Sequence, residues 1–198
     1  MSEIGQYLVL HDLMAYRQHP DLICNFLNRQ AKTKWKKPVS RLFGKIRRGD
    51  RIVYYATNDS LVIGIFQIAS DILYIENDQH WGSDVAAFRI EPFKLPPNGY
   101  FLDFKALMRE TRARFDMFPK REIWYSYLQG HSTKRMTSND FRIVGKSLDQ
   151  GRYLVPQERF VPADTDWHRK LAWLRDLRFE PITFLKRDSP SYGKKYLR

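Results

Sequence analysis

Cys24 is the only cysteine in the 198 residues, so no intramolecular disulfide can form and a reducing compartment is expected. No apolar run approaches the roughly 20 residues needed to cross a bilayer as a helix, so no membrane partner is expected. Met1 to Gln6 contain Glu3 and lack the basic and apolar stretch of a secretory leader, which sets the expected localisation as cytoplasmic. Catalytic signatures are missing as well. The histidines, His11, His19, His80, His131 and His168, are scattered without metal-ligand spacing, and no glycine loop is built to cradle a phosphate. Gly130-His131-Ser132 is not a nucleophile elbow. Asp71, Glu76, Asp78 and Glu91 read as solvated loop carboxylates. The expectation is a protein with no catalytic residue, no metal site and no cofactor.

What is abundant is positive charge and aromatic surface. Lysine and arginine number 34 against 22 acidic residues, a formal charge of +12. A field of that sign concentrates polyanions, and nucleic acid is the commonest such partner. Hydrophobic residues make up 43% of the chain, enough for a real core, and aromatic residues 15%, more than such a core requires.

Along the chain, Tyr7 to Leu10 reads as a buried strand. Pro20 reads as the start of a helix with Leu22, Ile23, Phe26 and Leu27 on one face. Asn28 to Lys37 is a polar, basic loop interrupted by Trp35. Gly49-Asp50 turns the chain into a strand over Arg51 to Thr57, and Asn58 to Ser60 connect it to a second, continuously apolar strand over Val62 to Ala69. Asn77 to Asp84 is a loop carrying Trp81, and Ala87 to Phe93 alternates as a fourth strand. Phe104 to Arg112 and Arg121 to Leu128 have helical spacing. Thr137 and Asp140 have the spacing of a capping box ahead of a helix with Phe141, Val144 and Leu148 on one side. Pro156, Pro162 and sparse apolar residues suggest a connector beyond Gln150. A helix with Trp167, Leu171, Leu174 and Leu177 on one face follows, then a strand over Ile182 to Leu185 and a basic tail. The predicted class is mixed α/β (α+β), a curved, mostly antiparallel, barrel-like sheet surrounded by helices. Residues 1–150 form the expected domain and 151–198 a C-terminal extension.

A tryptophan in a polar loop offers a flat apolar face at low entropic cost. Stacking a base on such a ring contributes about 1–3 kcal/mol, and two facing rings can sandwich a base that has left its stack. Trp35 and Trp81 are the candidate pair. The basic residues Lys34, Lys36, Lys37, Arg41, Lys45, Arg47 and Arg48 would line the approach, meeting phosphates without reading sequence.

The order Trp35-Lys-Lys-Pro38, Arg48-Gly49-Asp50 before Ile52-Val53-Tyr54-Tyr55, and Ile63-Gly64-Ile65-Phe66 resembles the EVE domain. Arg121 to Trp124, Gly130, Lys134-Arg135 and Thr137-Ser138-Asn139-Asp140-Phe141 are similar to that family's closing segment, so the resemblance spans roughly Tyr7 to Leu148. It implies a PUA-like fold related to YTH domains, which read methylated adenine in RNA; other relatives read modified bases in DNA. The implied cage is Trp35 and Trp81, with Tyr55, Asn58 and Ser60 beside it, holding a methylated cytosine or adenine of RNA or DNA. Lys134 and Arg135 are the implied backbone contacts; the family usually has arginine at the first of these positions. Residues 150–198 have no counterpart in the minimal domain; they pack as an extra layer, form a homodimer surface or extend the nucleic-acid track. Two other functions stand beside the reader. One is a hydrolase of modified nucleosides like ASCH-type relatives, using Lys134, Thr133 and Asp140. The other is a protein-interaction module using surface aromatics and the helix over Trp167 to Leu177.

Overall fold

The computed structural model describes residues 3–26, 42–78, 83–110, 114–129, 131–160 and 185–186. Among these are ten strands: β1 Gln6–His11, β2 Leu22–Phe26, β3 Arg51–Ala56, β4 Leu61–Ile68, β5 Leu73–Asp78, β6 Ser83–Lys94, β7 Tyr100–Asp103, β8 Thr133–Arg135, β9 Leu154–Pro156 and β10 Leu185–Lys186. Three helices accompany them, α1 Leu13–Gln18, α2 Phe104–Glu110 and α3 Ser138–Asp149, with a 3₁₀ segment at Arg121–Tyr127. The strands form one strongly curled, half-barrel sheet in the order β10-β5-β6-β4-β3-β1-β8, with β2 added on β6 and β7 bridging β4 to β9. The β1–β3 pairing is parallel, and every other pairing is antiparallel.

The central strands are apolar on both faces because both faces are covered. Tyr7, Val9, Ile52, Tyr54 and Ala56 pack inside the curl with Ile23, Phe43, Phe66 and Phe88. Their neighbours in sequence, Leu8, Leu10, Val53 and Tyr55, point the other way and pack under α2 and α3 with Phe104, Leu107, Phe141 and Val144. A bulge between Tyr54 and Tyr55 shifts the β3–β4 register, so that Tyr54 opposes Gly64 while Tyr55 opposes Val62. A bulge re-aims the side chains beside it, and Tyr55 is one of them.

The start of α3 matches its sequence signal. The Thr137 hydroxyl accepts from the Asp140 amide at 3.1 Å, and the Asp140 carboxylate reaches back to the Thr137 amide. Phe141, Val144 and Leu148 are buried, as the spacing requires.

Other elements differ from expectation. Leu22 to Phe26 is a strand, not a helix. Pro20 sits in the turn after α1, closed by the Leu22 amide donating to the His19 carbonyl at 3.1 Å. Ile23 faces the inner core while Leu22 and Cys24 face Ile75, Val85 and Ala87 on the other side. A short apolar run buried on both faces has the same periodicity as a buried helical turn, so length, not spacing, discriminates. Asn77-Asp78 and Ser83-Asp84 extend β5 and β6 rather than forming a loop. Arg121–Tyr127 is 3₁₀ with a kink at Ile123, not an α-helix.

Residues beyond Gln150 also enter the fold. β9 pairs with β7, the Asp103 amide donates to the Tyr153 carbonyl at 2.7 Å, and Arg17 donates to the Phe160 carbonyl at 3.0 Å. β10, Leu185–Lys186, pairs with β5, and the rest of the strand expected over Ile182 to Leu185 lies outside the described residues. The helix over Trp167 to Leu177 and the basic tail lie outside the described residues. No helix among the described residues is long and apolar enough to cross a membrane.

Candidate functional site

A cavity of about 890 Å³ opens where β1 and β3 end, between α2 and the 3₁₀ segment Arg121–Tyr127. It lies on the helix-covered face, because its floor residues Leu10, Tyr55, Met108 and Leu128 all belong to that core. Such a volume falls within the range of ligand pockets, about 300–1,000 Å³.

One wall is aromatic. Trp124 is half-buried and stands edge-on to Tyr55 at 6.4 Å and 88° and to Phe104 at 5.2 Å and 75°. Phe115 and Phe118 pack behind Phe104, so the indole is held by a stack of rings rather than by backbone. Tyr125 stands at 85° to Trp124 and is 53% exposed, which leaves its ring facing solvent at the mouth. The remaining wall carries three cations, Lys105, Arg109 and Arg121, beside the polar Thr57, Gln129 and His131. Lys105 and Arg109 are exposed on one side of α2, His131 is exposed across from them, and Arg121 is half-buried. The single acid on the lining is the exposed Glu122.

The polar floor is set by the β3–β4 hairpin. Ser60 adopts φ 57°, a left-handed conformation uncommon outside glycine, and is the penalty that fits this four-residue turn. Its carbonyl accepts from the Phe104 amide at 2.9 Å, which ties the hairpin to the start of α2. Its side chain is close enough to the Tyr55 phenol to lower the phenol's pKa. Burial raises the Tyr55 phenol above its ordinary value; the Ser60 side chain partly offsets this and the Asp103 charge adds to it. The phenol therefore stays protonated, able to donate as well as accept.

Of the residues expected at the site, Tyr55 and Ser60 line the cavity together. Asn58 is exposed at the tip of the same turn and is not part of the lining. Trp35, Trp81, Lys34, Lys36, Lys37 and Arg41 lie outside the described residues. Lys45, Arg47 and Arg48 precede β3, and the cavity follows its other end. Six residues at about 3.3 Å each separate the two by about 20 Å. Those three cations are therefore not at the cavity. Arg47 is also committed locally, donating to the Gly44 and Ile46 carbonyls at 3.2 Å.

Lys134 and Arg135 separate in the same way. β8 runs antiparallel to β1, setting Lys134 against Leu8 and Arg135 against Tyr7, so Arg135 falls at the far end. The Lys134 ammonium is half-buried, donates to the Tyr127 carbonyl and lies 5.9 Å from the Tyr127 ring; burial lowers its pKa. It braces the 3₁₀ segment. Arg135 is exposed, with Glu3 at 4.0 Å.

Asp140 is fully buried and accepts from the Asp116 amide at 2.6 Å and the Met117 amide at 3.2 Å, besides its place in the capping box. Its carboxylate is spent on holding the chain before Phe118. Among the described residues, no cluster of three or more His, Cys, Asp or Glu side chains is placed to hold a metal.

The sequence places Arg121 to Trp124 in the family's closing segment without a site role, and gives none to Tyr125, Lys105 or Arg109. The available signal was the run Arg121-Glu-Ile-Trp-Tyr-Ser-Tyr127, which interleaves charge and rings in a segment too short and polar to be core.

No family model matches this chain, and no curated protein matches it. Among solved structures, it is similar to Rpa0253 from Rhodopseudomonas palustris, determined by NMR. That match has 17% identity and a TM-score of 0.45, covering 74% of this chain and 94% of the other. It is also similar to a hypothetical protein from Leishmania major at 9% identity and a TM-score of 0.44, covering 75% of this chain and 96% of the other.

Proposed function

We propose that the protein is a non-catalytic nucleic-acid reader of the PUA-like, EVE-type kind, which holds an extruded, modified base of RNA or DNA in the cavity between β3, α2 and the Arg121–Tyr127 segment. The observation that carries this reading is one cavity with an aromatic wall of Tyr55, Trp124 and Tyr125 and a rim bearing Lys105 and Arg109. Aromatic faces suit bases, and cations on the rim suit the phosphates flanking an extruded nucleotide. Ser60 and the protonated Tyr55 hydroxyl supply donors and acceptors for the base edge. The charge of +12 supplies the long-range attraction. Because the cavity brings its own rings, the reading no longer depends on Trp35 and Trp81. Binding is favoured over hydrolysis because Asp140, the carboxylate a hydrolase would use, is buried in structural hydrogen bonds.

The test is titration of methylated and unmethylated single-stranded oligonucleotides, RNA and DNA, against the wild type and Tyr125→Ala. Tyr125 is exposed, so its loss leaves the fold intact. A stacking contribution of about 1–3 kcal/mol predicts roughly 5- to 150-fold weaker binding. Equal affinity of wild type and variant for every oligonucleotide would remove the aromatic wall from the mechanism.

A further inference from the structure

Arg121 raises a question that base stacking does not answer. Its Nε donates to the Met108 carbonyl in α2, which fixes the plane of the guanidinium at the cavity wall. Its Nη2 is buried and has no hydrogen-bond partner. Buried polar atoms are nearly always paired, and an exception calls for an explanation. The case is sharper for arginine than for lysine, since a guanidinium does not shed its proton to relieve an unpaired position. The only acid on the lining is Glu122, and it is exposed.

We infer that the cavity takes a whole phosphate-bearing nucleotide unit, with the phosphate drawn to Arg121 between Lys105 and Arg109 and the base against Trp124. Three features point the same way. A guanidinium whose plane is held through Nε on the cavity lining presents fixed geometry for a phosphate, the ligand that arginine forks match best. Lys105 and Arg109 lie four residues apart on α2, hence on one face, and both line the same cavity as Arg121. The volume, about 890 Å³, accommodates sugar and phosphate as well as a base. Arg121 is thus a specificity-determining residue: it selects nucleotides over nucleosides, while the aromatic wall selects bases.

The inference rests on the nucleic-acid reading, and the experiment separates the two. Calorimetric titration compares a nucleoside, its 5′- and 3′-monophosphates, inorganic phosphate, and an oligonucleotide carrying the same base, on the wild type, Arg121→Gln and Tyr125→Ala. The expected result is that one monophosphate binds the wild type roughly 10- to 150-fold more tightly than the nucleoside, the range of a hydrogen bond to a charged group, and that Arg121→Gln erases the difference. The nucleotide-to-nucleoside ratio on the wild type is read without any variant, so a folding defect in Arg121→Gln does not obscure it. Equal binding of nucleoside and monophosphates overturns the inference, and if Tyr125→Ala still weakens the oligonucleotide, the reader itself stands. Inorganic phosphate bound as tightly as the monophosphate also overturns it, since the base would then contribute nothing. Loss of all binding, oligonucleotide included, overturns both.

Discussion

Asp140 offers the sharpest test of how the site is held. Its carboxylate is fully buried and accepts two firm hydrogen bonds, from the amides of Asp116 at 2.6 Å and Met117 at 3.2 Å, with a longer one from Thr137 at 3.4 Å. Removing a buried acceptor strands its donors, and a hydrogen bond to a charged group is worth about 1.5–3 kcal/mol. Two of them give about 3–6 kcal/mol for Asp140→Ala, and relief of the carboxylate's own desolvation brings the estimate to about 3 kcal/mol. In a chain of this size that lowers the melting temperature by about 6–12 °C. Asp140→Asn keeps one acceptor and should lose about half as much, and Thr137→Ala, which removes the cap and the exposed 2.8 Å bond from the Thr137 hydroxyl to the Asp116 carboxylate, about 1 kcal/mol. The assay is thermal unfolding followed by circular dichroism, all three variants beside the wild type. The consequence extends to the cavity, because the 115–118 stretch carries Phe115 and Phe118, which back Phe104 and Trp124. Asp140→Ala should therefore weaken ligand binding in proportion to its destabilisation. A melting temperature within 2 °C of wild type (under about 1 kcal/mol) would refute the structural assignment and return Asp140 to the list of groups free for chemistry.

Further outcomes follow from single contacts. Gly5 lies where an added Cβ would come within 2.9 Å of the Asp50 carboxylate and 2.7 Å of the Tyr7 ring. Gly5→Ala should cost about 2–3 kcal/mol by overpacking and by straining the 2.7 Å bond from the Gly5 amide to Asp50, as urea denaturation would show. Tyr54 is buried in the inner core, and burial raises its phenol well above 10.0. The unfolded chain ionises first, so the stability tied to neutral Tyr54 is intact below pH 10 and lost as pH rises beyond it. Tyr54→Phe should flatten the fall in melting temperature between about pH 9 and 11, and an unchanged profile would exclude Tyr54 as its source. Lys105→Glu and Arg109→Glu should each weaken oligonucleotide binding about tenfold and lower the salt slope by about one, whereas Lys45→Glu and Arg48→Glu, at the other end of β3, should do much less. The reverse ranking in a salt titration would place the nucleic acid on the wrong end of the sheet for this cavity.

The fold was legible wherever local chemistry and burial agree. The capping box before α3, the Gly49-Asp50 turn into β3 and the Asn58 to Ser60 hairpin are recorded in residues within a few positions of one another, and each is where spacing puts it. Gly49, at φ 90°, shows why: only glycine takes that turn without strain. Leu22 to Phe26 reads as a helix because a strand covered on both faces carries no alternation, and the strand it pairs with, Val85 to Arg89, lies 59 to 67 residues further along the chain. β9 was read as a connector for a related reason. Its three residues are only half-buried, and its place comes from pairing with β7, which no local pattern encodes.

The site was half legible, and the reason is geometric. Tyr55 and Ser60 come from one hairpin, so a single sequence segment delivers both, and the bulge that turns Tyr55 toward the cavity is set by Tyr54, Val62 and Gly64 around it. The cations were sought in the densest basic run, but density along the chain is not proximity in space. The length of β3 separates Arg47 and Arg48 from the hairpin it leads to, and α2 brings Lys105 and Arg109 over that hairpin through the bond from the Phe104 amide to the Ser60 carbonyl. That one hydrogen bond joins the hairpin floor of the cavity to the helix that carries Lys105 and Arg109. It is made by the backbone of Ser60 in a conformation glycine prefers, so Ser60→Gly should keep the bond, relieve the strain and remove only the hydroxyl. If the hydroxyl reads the ligand, Ser60→Gly will be at least as stable as wild type and bind more weakly. If binding is unchanged in that variant, the floor of the cavity is read by Tyr55 alone.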